Sequence, residues 1–561
     1  MKKLIIALVL VSQCSIAQNV DWIRTIGGSE NDAPTIVTTD VDNNIYTLGD
    51  FQGEMDFDPG PGTFNLTSSG LEDVFLQKLN QFGDFQWAIS LGNDLSNYPR
   101  SMHVDALGNL FIGGDFQGEM DFDPGTASFT LTSTGIVDAY ILKLDNNGDF
   151  LWVKSWGGTS LVWVEISVSD DLGNIYVTGG YNETVDFNPG QGTESLTSSG
   201  SFDIYLLKLD SNGDFIWVKS VGGVDSDYAE SMAKDNSNNI YITGIFRGTV
   251  DFDPGANDFE LTSNGASNIY TLKLNDEGEF QWANAFGNGF VGEKIYAITA
   301  DNEDNIYLTG GFVETVDFDP GLNEFSRTSN GHEDVFILKL NEHGVFNWAQ
   351  ALGGPGRFDE GWSITTNAQN NVLVTGKFQE TVDFDPGTGT RNLTSYGDKD
   401  IFILSLDTSG DYISAFSLGG PARDVGVSIA IDNAENIILT GTYRETADLN
   451  PGIAVDNYTS NGGGDAFILK LNDLVLGANT LEFASELVLF PNPTDGRVTI
   501  KLEKEYQSIH ILVTNTLGQT IINRTDFQTN QLELEINEAS GVYFIEITSN
   551  SFSQTLRIIK N

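Results

Sequence analysis

The hexapeptide VDFDPG stands at residues 250–255, and close copies recur as MDFDPG at 55 and 120, VDFNPG at 185, VDFDPG at 316 and 382, and ADLNPG at 447. The first Asp of each copy falls at 56, 121, 186, 251, 317, 383 and 448, a period of 65 or 66 residues. So small a drift constrains the chain more than any other feature. One structural unit is written seven times, and the fold has to be assembled from its copies.

Each unit holds four strand-like runs separated by turn residues. In the fifth they are KIYAITAD (294–301), NIYLTGGF (305–312), DVFILKL (334–340) and FNWAQALGG (346–354), designated a, b, c and d. Four antiparallel strands repeated in this way predict an all-β, seven-bladed β-propeller. In run d a Trp precedes a Gly-Gly or Gly-Asn pair by five residues at Trp87, Trp152, Trp217, Trp282 and Trp348, while Ser414 takes that place ahead of Gly419. No run d follows the seventh run c, DAFILKL (465–471). The missing copy is VDWIRTIGG (20–28), with Trp22 five residues before Gly27. The N-terminal strand is therefore expected to complete the last blade and close the ring, leaving no unpaired edge. The tryptophans are expected to supply core area between blades; an aromatic platform for carbohydrate is the competing role. The cycle in DDLGNIYVTGG, DIYLLKLDSNGDFIW and KSVGG resembles the seven-bladed β-propeller repeat family of secreted and surface bacterial proteins over residues 19–473. The resemblance implies the fold and transfers no catalytic residues.

About twenty residues separate b from c, and VETVDFDPG (313–321) alternates apolar and acidic positions within them. Runs b and c are thus expected to continue as a bent hairpin whose tip is the hexapeptide, with Pro-Gly reversing the chain. The tips should crown one face and gather Asp56, Asp58, Asp121, Asp123, Asp186, Asp251, Asp253, Asp317, Asp319, Asp383, Asp385 and Asp448, with Asn188 and Asn450 as exceptions. Two roles are open to these carboxylates: capping the turn through local backbone amides, or holding Ca²⁺ through hard oxygen ligands. The c–d turns such as DNNGDF (145–150) lack the ligand pattern of a calcium loop and read as hairpin turns. The d–a connections vary from unit to unit and mark the place to seek a ligand site.

With 28 Lys plus Arg against 79 Asp plus Glu, the formal charge of -51 repels phosphate backbones and excludes nucleic acid as an expected partner. The four histidines, at 103, 332, 343 and 510, form no cluster with metal-ligand spacing, and no GxSxG, phosphate-loop or HExxH motif occurs. His103, within a strand, reads as packing or solvent-facing. Residues 1–18, with Lys2 and Lys3 before the apolar run Leu4 to Val11, read as a secretory signal. Cleavage near Ala17 would remove Cys14, the only cysteine; a lipid anchor on Cys14 competes, against the poor fit of Gln13 before it. No later segment is long and apolar enough to span a bilayer as a helix.

A linker (474–484) precedes a new alternation from Leu487, LVLFPNPTDGRVTIKL and its successors, which predicts a small C-terminal β-sandwich over 485–561. Pro491, Asn492 and Pro493 with Asp495-Gly496, then Gly518-Gln519, Gly541-Val542-Tyr543-Phe544 and the basic end from Arg557 to Lys560, resemble the type IX secretion sorting domain of Gram-negative bacteria. The resemblance implies the type IX secretion machinery as partner, with Lys560 and Arg557 open to reading by it, and a protein released or held at the outer cell surface. The expected function is a monomeric binding or adhesion module for an extracellular glycan or protein. A polysaccharide- or peptide-degrading enzyme and a purely structural envelope protein are the alternatives.

Overall fold

A computed structural model describes residues 20–472, apart from 96, 290–292 and 453, and residues 488–560, apart from 491–493, 495, 516–518, 540 and 550–551. Residues 1–18 with Cys14, expected to be a secretory signal, the linker and Pro491, Asn492 and Pro493 lie outside the described residues. By their contacts the residues fall into two units, Met1–Leu476 and Gly477–Asn561. No helix occurs among those described.

β-branched and aromatic residues fill runs a to d, and each run forms a strand. In the fifth repeat the strands are Lys294–Ala300, Ile306–Asp317, Ser326–Leu340 and Phe346–Leu352. They pair antiparallel in the order a-b-c-d, and seven four-stranded arrangements of this kind follow one another. The seventh takes Val425–Ile431, Ile437–Tyr443 and Asp465–Leu471 from its own repeat and Val20–Ile26 as its fourth strand, with Trp22 opposite Lys470 and Ile26 opposite Ala466. Strand c is buried on both faces, as Asp73–Leu79 shows along its whole length, because neighbouring sheets cover it.

Strand a of each sheet packs against strand a of the next, and Ala33–Thr39 of the first sheet packs against Val425–Ile431 of the seventh. There the Val37 amide donates to Ser428 Oγ at 3.2 Å and the Asn433 amide to Asn43 Oδ1 at 2.9 Å. One apolar cluster joins Trp22, Ile26, Ile438 and Ile468 of the seventh sheet to Ile45, Phe51 and Phe75 of the first.

A polar clasp accompanies these apolar cores. In six sheets a Lys of strand c stands opposite the Trp of strand d: Lys78 and Trp87, Lys143 and Trp152, Lys208 and Trp217, Lys273 and Trp282, Lys339 and Trp348, Lys470 and Trp22. In the fourth, fifth and seventh sheets both side chains donate to the c–d turn of the following sheet, and in the first and third the Lys does. Lys273 Nζ and Trp282 Nε1 donate to the Glu342 carbonyl at 3.1 and 3.0 Å, and Lys470 and Trp22 both donate to the Gln81 carbonyl at 3.2 Å. Behind the ammonium sits a buried Asp of the a–b turn, Asp235 for Lys273 and Asp432 for Lys470, at 3.2 and 2.9 Å. The sixth sheet breaks the pattern three times over: Ser405 faces Ser414, and Asn367 replaces the Asp. The sheet it would clasp is the seventh, which has no c–d turn, because its strand d is the distant segment Val20–Ile26. Lacking an acceptor, a buried Lys and its Asp would cost desolvation without return.

The second unit is a five-stranded sheet. The alternation predicts a small sandwich; two long strands, Arg497–Asn515 and Thr520–Glu535, run through the unit, and their register shifts between Lys501 and Tyr506. Side chains on both sides of the shift, Val498 and Ile500 with Ile511 and Ile545, share one core. An irregularity of this kind lets one sheet turn a corner and supply both layers.

Candidate binding face

The hexapeptide aspartates cap turns. Asp56 Oδ1 accepts from the amides of Asp58 and Phe64 at 3.0 and 2.8 Å, and Asp58 Oδ1 accepts from the Gly60 amide at 2.8 Å. The same first bond recurs at Asp121, Asp186, Asp251, Asp317, Asp383 and Asp448. The second recurs at Asp123, Asp253, Asp319 and Asp385, and equally at Asn188 and Asn450, whose neutral amide oxygens accept the identical bond. An Asx turn needs an oxygen and no charge. No tip brings together three or more acidic, His or Cys side chains among the described residues. The alternate residues point inward: Met55 and Phe57 are buried, and Phe57 packs edge-on against Phe51 and at a tilt against Phe75, at 5.3 and 5.2 Å. The tips are not a free-standing crown, for each hairpin leans on strand d of the preceding sheet. Gly157 and Gly158 pair with Asp186 and Val185. The glycine pair follows from close approach on two sides: a Cβ on Gly157 would strike the Asp138 carboxyl of its own sheet at 2.2 Å, and one on Gly158 the hairpin's Thr184 carbonyl at 2.2 Å. Where Asn replaces the second Gly, Asn93 Nδ2 bonds the hairpin carbonyls of Gln117 and Glu119.

Near the start of strand a, all seven sheets carry a bulge. The register shifts fall at Pro34/Ile36, Pro99/Ser101, Val164/Ile166, Ala229/Ser231, Ile295/Ala297, Gly361/Ser363 and Gly426/Ser428. The extra residues are Thr35, Arg100, Glu165, Glu230, Tyr296, Trp362 and Val427, all half-buried. Bulges re-aim side chains and gather at functional sites. The bulge recurs at one level in every sheet, and the residue it inserts changes in chemistry from unit to unit. The sequence reading missed it. Its one sequence signal is a column at the 65–66 residue spacing that holds Thr, Arg, Glu, Glu, Tyr, Trp and Val.

Two sectors result. In units two to four Arg100 Nε bonds Asp115 Oδ1 at 3.2 Å, and its Nη1 lies 3.7 Å from Glu165 Oε2. Burial pushes the Glu165 carboxyl up to about 7 against the pull of Arg100, and burial together with Glu165 pushes Glu230 up to about 8. In units five and six Lys294 Nζ bridges Glu333 Oε1 at 3.0 Å and Glu360 Oε1 at 2.8 Å. Lys377 Nζ and Trp362 Nε1 both reach Glu360 Oε2, at 2.8 and 2.7 Å. Burial works against the Glu360 charge, yet hydrogen bonds from Lys294, Lys377 and Trp362 outweigh it and hold this carboxyl low, while burial and the Glu360 charge hold Glu333 high. Lys377 lies 4.8 Å from the Trp362 ring, and Trp362 meets Tyr296 at 5.7 Å.

The d–a connections join this face through short bridges, Glu333 with Phe358 and Lys399 with Arg423. Their repeated carboxylates are structural: Asp227 accepts from the Gly223 and Arg247 amides, Asp424 from the Gly420 and Arg444 amides. His103 packs, its ring stacked on Phe111 at 4.7 Å and bonded to Ser167 Oγ, and burial lowers its pKa to about 4. In the second unit Gly541 begins the strand Gly541–Ser549, and Tyr543 is a core residue whose hydroxyl donates to the Ala539 carbonyl at 2.5 Å. Lys560 Nζ donates to the Glu538 carbonyl.

The chain is 22% identical over 593 aligned residues to an uncharacterized WD repeat-containing protein of Acanthamoeba polyphaga mimivirus, an alignment covering 90% of this chain and 41% of that one. It is 23% identical over 413 residues to the regulatory protein FlaEY of Caulobacter vibrioides, covering 68% and 41%. The chain thus spans about two fifths of the length of these curated relatives. Among solved structures, the extracellular domain of a hybrid two-component system from B. thetaiotaomicron aligns at 10% identity and TM-score 0.18 over 96% of this chain and 99% of that one. The extracellular region of plexin A4 aligns at 6% and 0.26 over 95% and 77%. At these scores neither likeness assigns a fold. Residues 488–561 match the secretion system C-terminal sorting domain, so the chain carries a sorting domain of type IX secretion, which directs it to the exterior or the cell surface.

Proposed function

We propose that the seven sheets are blades of a closed propeller, and that its bulge-bearing face is the ligand surface of a secreted or surface-displayed binding module for an extracellular glycan or protein. Closure is supported by the clasp, since Lys470 and Trp22 grip the first sheet through Gln81 as Lys273 and Trp282 grip the fifth through Glu342. It is supported again by the sixth sheet, which has given up its clasp where the seventh offers no turn. A cavity of about 420 Å³ lined by Thr39, Val104, Ile364 and Ile429, from the first, second, sixth and seventh repeats, fits strands a gathered about one axis.

The observation that carries the binding reading is the bulge column. A repeated scaffold that sets a bulge at the same level of every inner strand and fills it with different chemistry has the anatomy of a recognition surface. Glycan and protein arrays probed with the propeller, beside a variant carrying Arg100→Ala, Tyr296→Ala and Trp362→Ala, test it. Binding lost in the variant supports the reading; equal binding by both proteins sends the ligand elsewhere. The neighbouring carboxyls of Glu165 and Glu230, both held high, favour a secreted hydrolase as the second reading. Turnover in a screen of polysaccharides and peptides that disappears with Glu230→Gln would establish it.

A further inference from the structure

Cations are scarce in this chain, 28 among 561 residues. Four of them meet on one side of the bulge face. Lys399 and Arg423 are joined by a backbone bridge, and the Asp424 amide donates to the Lys399 carbonyl at 2.8 Å. Arg423 and Arg444 line one cleft of about 590 Å³ with Asp398, Ala422, Glu445 and Ser460. Lys377 is near enough that Arg423 and Lys399 both disfavour its charge, after burial itself.

Most buried or inner cations of the molecule are spoken for by a carboxylate or a turn carbonyl, as in the clasps. The guanidiniums of Arg423 and Arg444 are exposed, and among the described residues neither has an ion pair or hydrogen bond, although two carboxylates line the same cleft. Lys399 likewise has no ion pair; its ammonium lies 4.2 Å from the Phe358 ring. Arg444 is near enough to Asp424 to favour its charge, and Asp398 and Glu445 line the cleft, but among the described residues no carboxylate reaches ion-pair distance of either guanidinium, which leaves both forks open to an anion. Two guanidinium forks suit a planar carboxylate or a sulfate. Phe358 lies beside Lys399 and Trp362 beside Lys377, half-buried aromatic rings of the kind against which a sugar ring packs.

We propose that Arg423 and Arg444, with Lys399 and Phe358 beside them, form a subsite for the acidic group of a short carboxylated or sulfated oligosaccharide. The subsite rests on the reading of the bulge face as a ligand surface and names the ligand class it takes. The charge of -51 sets the length. Screening confines the local cationic field to about 8 Å at physiological salt, so a long polyanion would lie mostly over acidic surface while a short one would not.

Calorimetric titration of the full chain with trigalacturonate, a carrageenan tetrasaccharide and neutral galactotriose tests this, beside Arg423→Ala with Arg444→Ala, Arg423→Gln with Arg444→Gln, and Trp362→Ala. The expected result is that an acidic probe binds at least about tenfold more tightly than the neutral one, that both double variants abolish this preference, and that Trp362→Ala weakens all three probes. The two acidic probes separate carboxylate from sulfate recognition. Equal binding of acidic and neutral probes, a preference that survives loss of both arginines, or no heat with any probe overturns the acidic subsite. Neutral binding that Trp362→Ala removes and the arginine variants leave intact would overturn it while keeping the ligand face.

Discussion

Glu165, Glu230 and Asp50 hold protons more tightly in the folded chain than an exposed carboxyl does, with values pushed up to about 7, 8 and 7 chiefly by burial. A raised folded value means that the stabilising contribution is complete below the unfolded value near 4 and disappears as pH climbs through the folded one. Thermal unfolding should therefore shift downward between about pH 4.5 and 8, and Glu230→Gln, which has no proton to lose, should flatten that slope. The hexapeptide is tested at the same scale. Since Asn188 and Asn450 do the work of Asp319, Asp319→Asn should stay within about 0.5 kcal/mol of the parent, with or without a chelator, whereas Asp319→Ala should cost about 1 kcal/mol by orphaning the Gly321 amide. A melting temperature that rises with Ca²⁺ in the parent and not in Asp319→Asn would assign these tips the metal role.

At the scale of the element, strands and hairpins were legible because period-two alternation and Pro-Gly turns are written locally. Met55 and Phe57 facing inward beside Asp56 follow from that pattern alone. The bulge column was not legible, because one inserted residue is defined by its partner strand: Arg100 is extra only relative to Gly113 and Gly114, which pair with Ser101 and Pro99. The clasp was half legible. The spacing shows the tryptophans, and Ser414 stands out among them, but its reason lies in register, where Ser405 faces it and no turn waits beyond. A paired experiment follows. Lys273→Ser with Trp282→Ser should destabilise by on the order of 2–4 kcal/mol, through a lost aromatic contact, lost hydrogen bonds and an unpaired Asp235. Ser405→Lys with Ser414→Trp should give no compensating gain. Denaturant midpoints at unchanged slope measure both, and stabilisation by the second pair would mean that an acceptor exists beside the sixth sheet after all.

For the whole molecule, the two ends of the repeat array answer to one topological fact, that Val20–Ile26 lies beside Asp465–Leu471. Deleting residues 1–26 in a cytoplasmically expressed chain removes Trp22, Ile23 and Ile26 from apolar clusters and bares one edge of the seventh sheet. At about 1.5–3 kcal/mol per buried large side chain the loss is on the order of 5 kcal/mol. Size alone does not separate a ring from an arc, since either loses a strand. Hydrogen exchange separates them. In a ring the first and seventh sheets support each other, so the deletion should speed exchange in Ala33–Thr39 as well as in Val425–Ile431, and a peptide spanning residues 19–28 added in trans should slow both again. Faster exchange confined to the seventh sheet, with the first unaffected, would mean that the two ends merely touch and that the array is open.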